Sequence, residues 1–193
     1  MIHTLIFLIV FYLCMSVNEW MVHKYVMHNS FFGSHHLDHH AETNPDMSLS
    51  RKSHNLDSDL YRGTAFKWKT SFLIFVIALP QAYSLDFLFN GKIAHPWLDT
   101  CLVLALAIYQ SIMWNSIHPK LHNVPNVVLK KGMPSILLGS NCFIRLLQEN
   151  HIEHHRTKGR KNFNVTLLGA DFLLGTHSSF SSFPISENST NVN

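Results

Sequence analysis

Charge is scarce in this chain. Only 14% of its 193 residues are Asp, Glu, Lys or Arg, against about 25% in an ordinary water-soluble domain, so much of its surface is expected to face lipid. Cysteine is scarce too. Cys14, Cys101 and Cys142 stand apart with no CxxC pair, which argues against a disulfide framework and a thiolate metal site and fits a reducing cytosolic face. The net charge is only +3 and the Lys and Arg are dispersed, so no groove for nucleic acid is expected. The apolar N-terminal run lacks the basic leader and small-residue cleavage site of a secretory signal.

What the chain does have is long apolar segments. Residues 1–17 are broken only by His3, Thr4 and Ser16. They read as a retained membrane helix, at the short end of the about 17–25 residues that span a bilayer, with Trp20 marking the interface. Segments 70–89 and 97–117 flank a short loop and predict a helical hairpin, the first helix kinked at Pro80. Residues 134–147 are too short to span and read as an interfacial or re-entrant segment. Residues 47–69 form a polar linker or surface helix. The expected architecture is an all-α membrane bundle of three to four membrane helices, over 1–177, with a Ser/Asn-rich disordered tail at 178–193.

Basic residues orient this bundle. Six of the 15 Lys and Arg lie between Lys24 and Lys69, one is Lys92 in the hairpin loop, and eight lie between Lys120 and Lys161. The positive-inside rule makes the two rich regions cytoplasmic. The predicted protein is therefore multi-pass, in the endoplasmic reticulum of a eukaryote or the inner membrane of a bacterium. Asn164 and Asn188 begin glycosylation-type triplets, discounted because this topology keeps both in the cytosol.

Histidine is the abundant residue, 15 copies against 12 Asp plus Glu. Ten fall into four groups: His23 and His28 in HKYVMH; His36, His39 and His40 in HLDHH; His118 and His122 in HPKLH; His151, His154 and His155 in HIEHH. All four groups fall on the cytoplasmic side of the predicted topology, forming a helical cap over the bundle. The i, i+3, i+4 spacing places three imidazoles on one helix face, a half-site for Zn, Fe, Cu or Ni. His23 and His28, five apart, diverge by about 140° on a regular helix, so they serve different metals or a bend intervenes. His118 and His122 share a face if the helix survives Pro119; otherwise His118 closes one helix as Pro119 opens the next. The ten supply about five nitrogens to each of two metals, while His3, His35, His54, His95 and His177 read as structural. Glu19, Asp38, Glu149 and Glu153 are candidates to accept the free ring N–H of a ligand, or are ordinary solvated acids. A metal transporter or sensor without redox chemistry is the competing class, but it would carry its ligands near mid-span, not at span ends.

In this order, interleaved with apolar segments, the four groups resemble the fatty acid hydroxylase superfamily, which includes sterol desaturases and sphingolipid and fatty acyl hydroxylases. The closing stretch NFNVTLLGADFLLGT resembles that family's C-terminal signature, N-[FY]-N...D...GT, and the likeness spans about residues 19–176. HKYVMH alone is also similar to carotenoid hydroxylases. The resemblance implies that His23, His28, His36, His39, His40, His118, His122, His151, His154 and His155 hold two iron ions, replaceable by zinc on purification. It further implies dioxygen as co-substrate and hydroxylation or desaturation of a fatty acyl, sphingolipid or sterol C–H bond. Two electrons would come from a separate small cytochrome or ferredoxin with its reductase, since no carrier domain fits in the chain. Asp171 is expected behind the ligands, the NFN residues in a structural role, and Gly175 in backbone geometry. The gap between His28 and His36 is shorter than the family pattern. Arg156, Lys158, Arg160 and Lys161 suit anionic headgroups or an acidic electron donor.

Overall fold

The computed structural model describes residues 2–31, 34–43, 68–121 and 142–179. His54 and His122, the linker between 47 and 67, residues 134–141, Asn188 and the tail beyond 179 lie outside the described residues, as do the side chains of His3 and His35. Among the described residues every regular element is helical: α1 (Ile2–Met21), which runs directly into a π-helical turn (Val22–Met27); α2 (Ser34–Glu42); α3 (Trp68–Asn90); α4 (Pro96–Ile112), followed by a second π turn (Met113–Ile117); α5 (His118–Leu121); α6 (Cys142–Arg156); and α7 (Ala170–Leu173).

Three stretches, Thr4–Met27, Trp68–Asn90 and Pro96–Ile117, are long and apolar enough to cross a bilayer, which marks the chain as a membrane protein. The first is longer than the 1–17 read from composition, because the helix does not stop at Val17. Outward faces are apolar, with Leu5, Ile9, Phe72, Val76, Leu104 and Ile108 exposed, the reverse of a water-soluble bundle. Inside, Ala78 and Ala82 of α3 meet Phe11 and Met15 of α1 and Val103 of α4. Small residues four apart let membrane helices approach closely, where dispersion rather than the hydrophobic effect holds them together.

Several polar residues in the spans pair with one another or with backbone. Asn18 donates to Gln81 at 2.7 Å, bridging α1 and α3, and the Tyr83 and Thr100 hydroxyls lie 2.9 Å apart. Buried Asp86 closes the hairpin: it accepts the backbone N–H of Ala94 at 2.6 Å and of His95 at 2.9 Å, and the Asn90 side chain at 2.6 Å. Helix α3 continues through Pro80. Trp20 is not an interface marker. It is 7% exposed, packs edge-on against Phe163 and donates to Thr176 Oγ1 at 2.8 Å. Of the predicted interfacial segment, the part from Cys142 onward belongs to the same helix as HIEHH.

Candidate metal centre

The π turn resolves the awkward spacing of the first histidine pair. Its wider winding bonds each N–H to the carbonyl five residues back, and His28 N–H accordingly donates to His23 O at 3.1 Å. Residues five apart thereby come to one side. The second π turn ends as His118 opens α5, so Pro119 stands in a first helical turn, where its missing N–H costs nothing.

Two groups of imidazoles result. His23, His28, His36, His40 and His154 bring ligand nitrogens within 4.8 Å of one another, and so do His39, His151 and His155. His118 belongs with the second group, its Nε2 lying 3.0 Å from His151 Nε2. The HxxHH motifs are therefore not half-sites. In each, the i and i+4 histidines serve one group and the i+3 histidine crosses to the other: His36 and His40 stand with His154, and His151 and His155 stand with His39. The reason is geometric. Adjacent positions point about 100° apart, which is enough to divide them between two neighbouring centres.

The spacing of the nitrogens fits a cation. In the first group the Nε2 contacts run His28–His154 at 3.2 Å, His154–His40 at 3.1 Å, His40–His36 at 3.1 Å and His36–His23 at 2.9 Å. Each Nε2 offers one N–H or one lone pair, so a chain of five nitrogens forms at most two paired hydrogen bonds. Four close contacts leave lone pairs converging on a common point. Two nitrogens about 2.1 Å from one ion and at right angles are about 3.0 Å apart, which matches.

Protonation agrees. His23 Nδ1 lies 2.5 Å from Phe163 O, and His154 Nδ1 lies 2.6 Å from Lys161 O. A carbonyl only accepts, so each Nδ1 carries the proton and each Nε2 keeps its lone pair. Burial lowers His28 and His39 to about 4 and His154 to about 3. His36, His40 and His118 are also held well below the usual imidazole range, by burial first and then by repulsion from neighbouring rings. At neutral pH these six are uncharged and ready to ligate.

The carbonyls that orient His23 and His154 belong to the loop after α6. Helix α6 ends with Gly159 N–H bonded to His154 O at 2.9 Å. Gly159 has φ +69°, and a Cβ there would stand 2.1 Å from His28 Cε1, so only glycine fits between the two. Nothing but the glycine after a basic helix end, in TKGR, could have flagged it. Asp171 holds the loop: its carboxylate accepts Phe163 N–H at 2.9 Å, Asn164 N–H at 2.7 Å and Thr176 Oγ1 at 2.7 Å. It acts on His23 through the Phe163 carbonyl. Asn164 is fully buried, and its amide donates to Ser16 O at 2.9 Å, a more direct reason for discounting glycosylation there. Gly175 has φ +68°, consistent with a backbone role.

The acids predicted to accept ring N–H groups are engaged elsewhere. Glu19 takes Thr166 Oγ1 at 2.6 Å, Leu167 N–H at 2.8 Å and Thr166 N–H at 3.0 Å. Glu153 takes Ser178 Oγ at 3.0 Å and pairs with Arg156 at 3.4 Å, and Glu149 pairs with Arg145 at 3.2 Å. Asp38 is exposed on α2. Carboxylates here fix backbone, and backbone carbonyls fix imidazoles. Ser178, assigned to the tail, is also tied in: its N–H donates to Asn162 Oδ1 at 2.6 Å.

Beside the first group is a cavity of about 260 Å³, walled by Leu73, Ile74, Ile77, Ala78 and Leu106, with His23 and Trp114 among its lining. Its rim includes Val22 and Val26 of the first π turn and Leu73 of α3, each exposed. Asn18 and Gln110 are among its few polar residues. Compared with protein-family profiles, characterised proteins and solved structures, the chain has no match, and the functional reading rests on the residues themselves.

Proposed function

We propose that this chain is a membrane-bound non-haem di-iron oxygenase of the fatty acid hydroxylase and sterol desaturase type, which hydroxylates or desaturates a lipid C–H bond. The observation that carries the reading is the pairing of two groups of buried and half-buried imidazoles with an apolar cavity that has His23 in its wall. His23, His28, His36, His40 and His154 would hold one iron. His39, His118, His151 and His155 would hold the other, with His122 as the fifth ligand assigned from the sequence. When bound, the irons supply the reductive activation of dioxygen that an unactivated C–H bond requires and that side-chain acids and bases lack.

The chain's own residues position and shield. Leu73, Ile77, Ala78 and Leu106 exclude water and lay a lipid chain alongside His23, entering between α1 and α3. Phe163 O and Lys161 O keep His23 and His154 in the tautomer that ligates through Nε2. The positive-inside distribution puts the histidines on the cytoplasmic face, where a small cytochrome or ferredoxin would deliver two electrons. Arg160 and Lys158 are exposed beside the centre and suit an acidic donor or anionic headgroups.

The test is expression in a host membrane, with iron measured in the purified protein and host lipids compared by mass spectrometry. Products that gain one oxygen or lose two hydrogens, only in the presence of dioxygen, are the expected result. Metal flux across vesicles without lipid oxidation would replace this reading with a metal transporter or sensor, and oxidised carotenoids alone would move the substrate to that class.

A further inference from the structure

The stretch after Lys161 does more than supply carbonyls to the centre. Its two ends meet: Asn162 N–H donates to Thr176 O at 3.0 Å, and the Asn162 amide donates to Ser178 O at 2.8 Å. From this neck the chain descends along the bundle. Phe163 packs on Trp20, Val165 joins Met113, Trp114 and Leu147, and Leu167 reaches the innermost cluster, with Phe11, Met15, Ala78, Ala82 and Val103. The depth follows from helix rise. Ala82 and Ala78 are eight and twelve residues from the hairpin end of α3 and Val103 seven from the hairpin end of α4, so the cluster holding Leu167 sits about 10–18 Å from the hairpin turn. Apolar residues flank that turn, with Leu88 75% and Trp97 83% exposed, and the hydrocarbon core is about 30 Å thick. Leu167 therefore lies well inside that thickness.

Irregular backbone at such depth survives only where protein satisfies its polar groups, and here it does. Glu19 accepts the N–H groups of Thr166 and Leu167, and Tyr109 donates to Thr166 O at 3.1 Å. Ser16 donates to Leu167 O at 2.6 Å and accepts Ala170 N–H at 2.9 Å, and Tyr12 donates to Leu168 O at 2.8 Å. A loop in water would need none of these partners. Its outer side is apolar: Phe172, Leu173 and Leu174 are 60%, 62% and 46% exposed. Helix α7 packs against α1, and the Phe172 ring stacks on His177 at 3.9 Å.

We infer that residues 162–176 form a re-entrant loop that dips into the bilayer from the histidine side and turns back, with Phe172, Leu173 and Leu174 against lipid acyl chains. The inference is independent of the oxygenase reading. The same fold would give it whatever metal the histidines hold.

Two measurements test it. In the full-length chain with Cys14, Cys101 and Cys142 replaced, single cysteines are placed as Phe172→Cys, Leu173→Cys and Ser179→Cys and treated with a charged maleimide in open membrane fragments. Labelling at 179 and its loss at 172 and 173, restored on denaturation, is expected; equal labelling at all three overturns the inference. The unsubstituted protein in the same membranes is then labelled with an apolar photoactivated carbene and mapped by peptide. Adducts on 172–174 as well as on α1 and α3 are expected, and adducts on α1 and α3 alone overturn it.

Discussion

The helices carrying HLDHH and HIEHH share one histidine spacing but are held differently. In α6, every residue from Asn150 to His155 is buried. His154 is fixed by the Lys161 carbonyl, Gly159 N–H closes the helix end, and Asn150 donates to Asn164 O at 2.6 Å. In α2, nine residues long, Asp38 and Ala41 are exposed. The Nδ1 atoms of His36 and His40 have no hydrogen bond among the described residues. Instead His40 is stacked on His155 at 4.2 Å. Helix α6 has one ligand, His154, oriented by a backbone carbonyl; α2 has its ligands seated against α6. The lesson is that a ligand motif sets spacing, while the neighbouring backbone sets rigidity.

The most severe way to break the pair is to remove the histidine that each helix lends to the other's group. His154→Ala and His39→Ala should each abolish turnover and weaken metal binding by more than the about 100-fold that losing an outer partner costs, with membrane insertion intact. Metal analysis and membrane fractionation check this; an active purified variant of either would sink the two-centre assignment. Acid comes next. His28 and His39 are lowered to about 4 and His154 to about 3, so between these values and the usual value near 6.5 the unfolded chain binds more protons than the folded one. The metal-free protein should hold full stability above about pH 6.5 and lose it progressively towards pH 4, read as a falling melting temperature. A flat profile over that window would contradict neutral buried imidazoles.

Smaller changes sharpen the contrast. Gly159→Ala places a Cβ 2.1 Å from the His28 ring at φ +69° and should cost about 10- to 100-fold in metal affinity, measured by competition with a chelator. Unchanged affinity would show that His28 moves aside freely. Asp171→Ala frees two buried N–H groups of the loop and should cost about 2–6 kcal/mol in stability, about 1–3 for each, whereas Asp38→Ala on exposed α2 should stay within about 0.5 kcal/mol. Equal effects in denaturation would erase the difference between the helices.

Much of this was legible beforehand. Four histidine groups and three apolar spans stand out in the residues, because both depend on local spacing and composition. The division of each HxxHH motif was not legible, since one helix face is wider than one metal and only tertiary placement shows where His39 and His40 part company. The π turn was hidden too. A single extra residue in a helix leaves no mark in HKYVMH beyond the odd interval between His23 and His28. Ser16 and Glu19 misled most, reading as an interruption of an apolar run and a partner for His23, because the loop they clamp lies some 150 residues further on.

That clamp gives α1 a property of length as well as composition. Tyr12, Ser16, Glu19 and His23 recur every three or four residues, so they form a single seam, and the π turn adds the one residue that keeps His28 on it. The first and last described parts of the chain are stitched along this seam. The interval from Tyr12 to His28 therefore works as a ruler: it sets how far the loop's carbonyls stand from the imidazoles. Adding or dropping one residue there shifts that distance without changing any side chain, whereas the same edit before Phe11 alters only how the helix meets lipid.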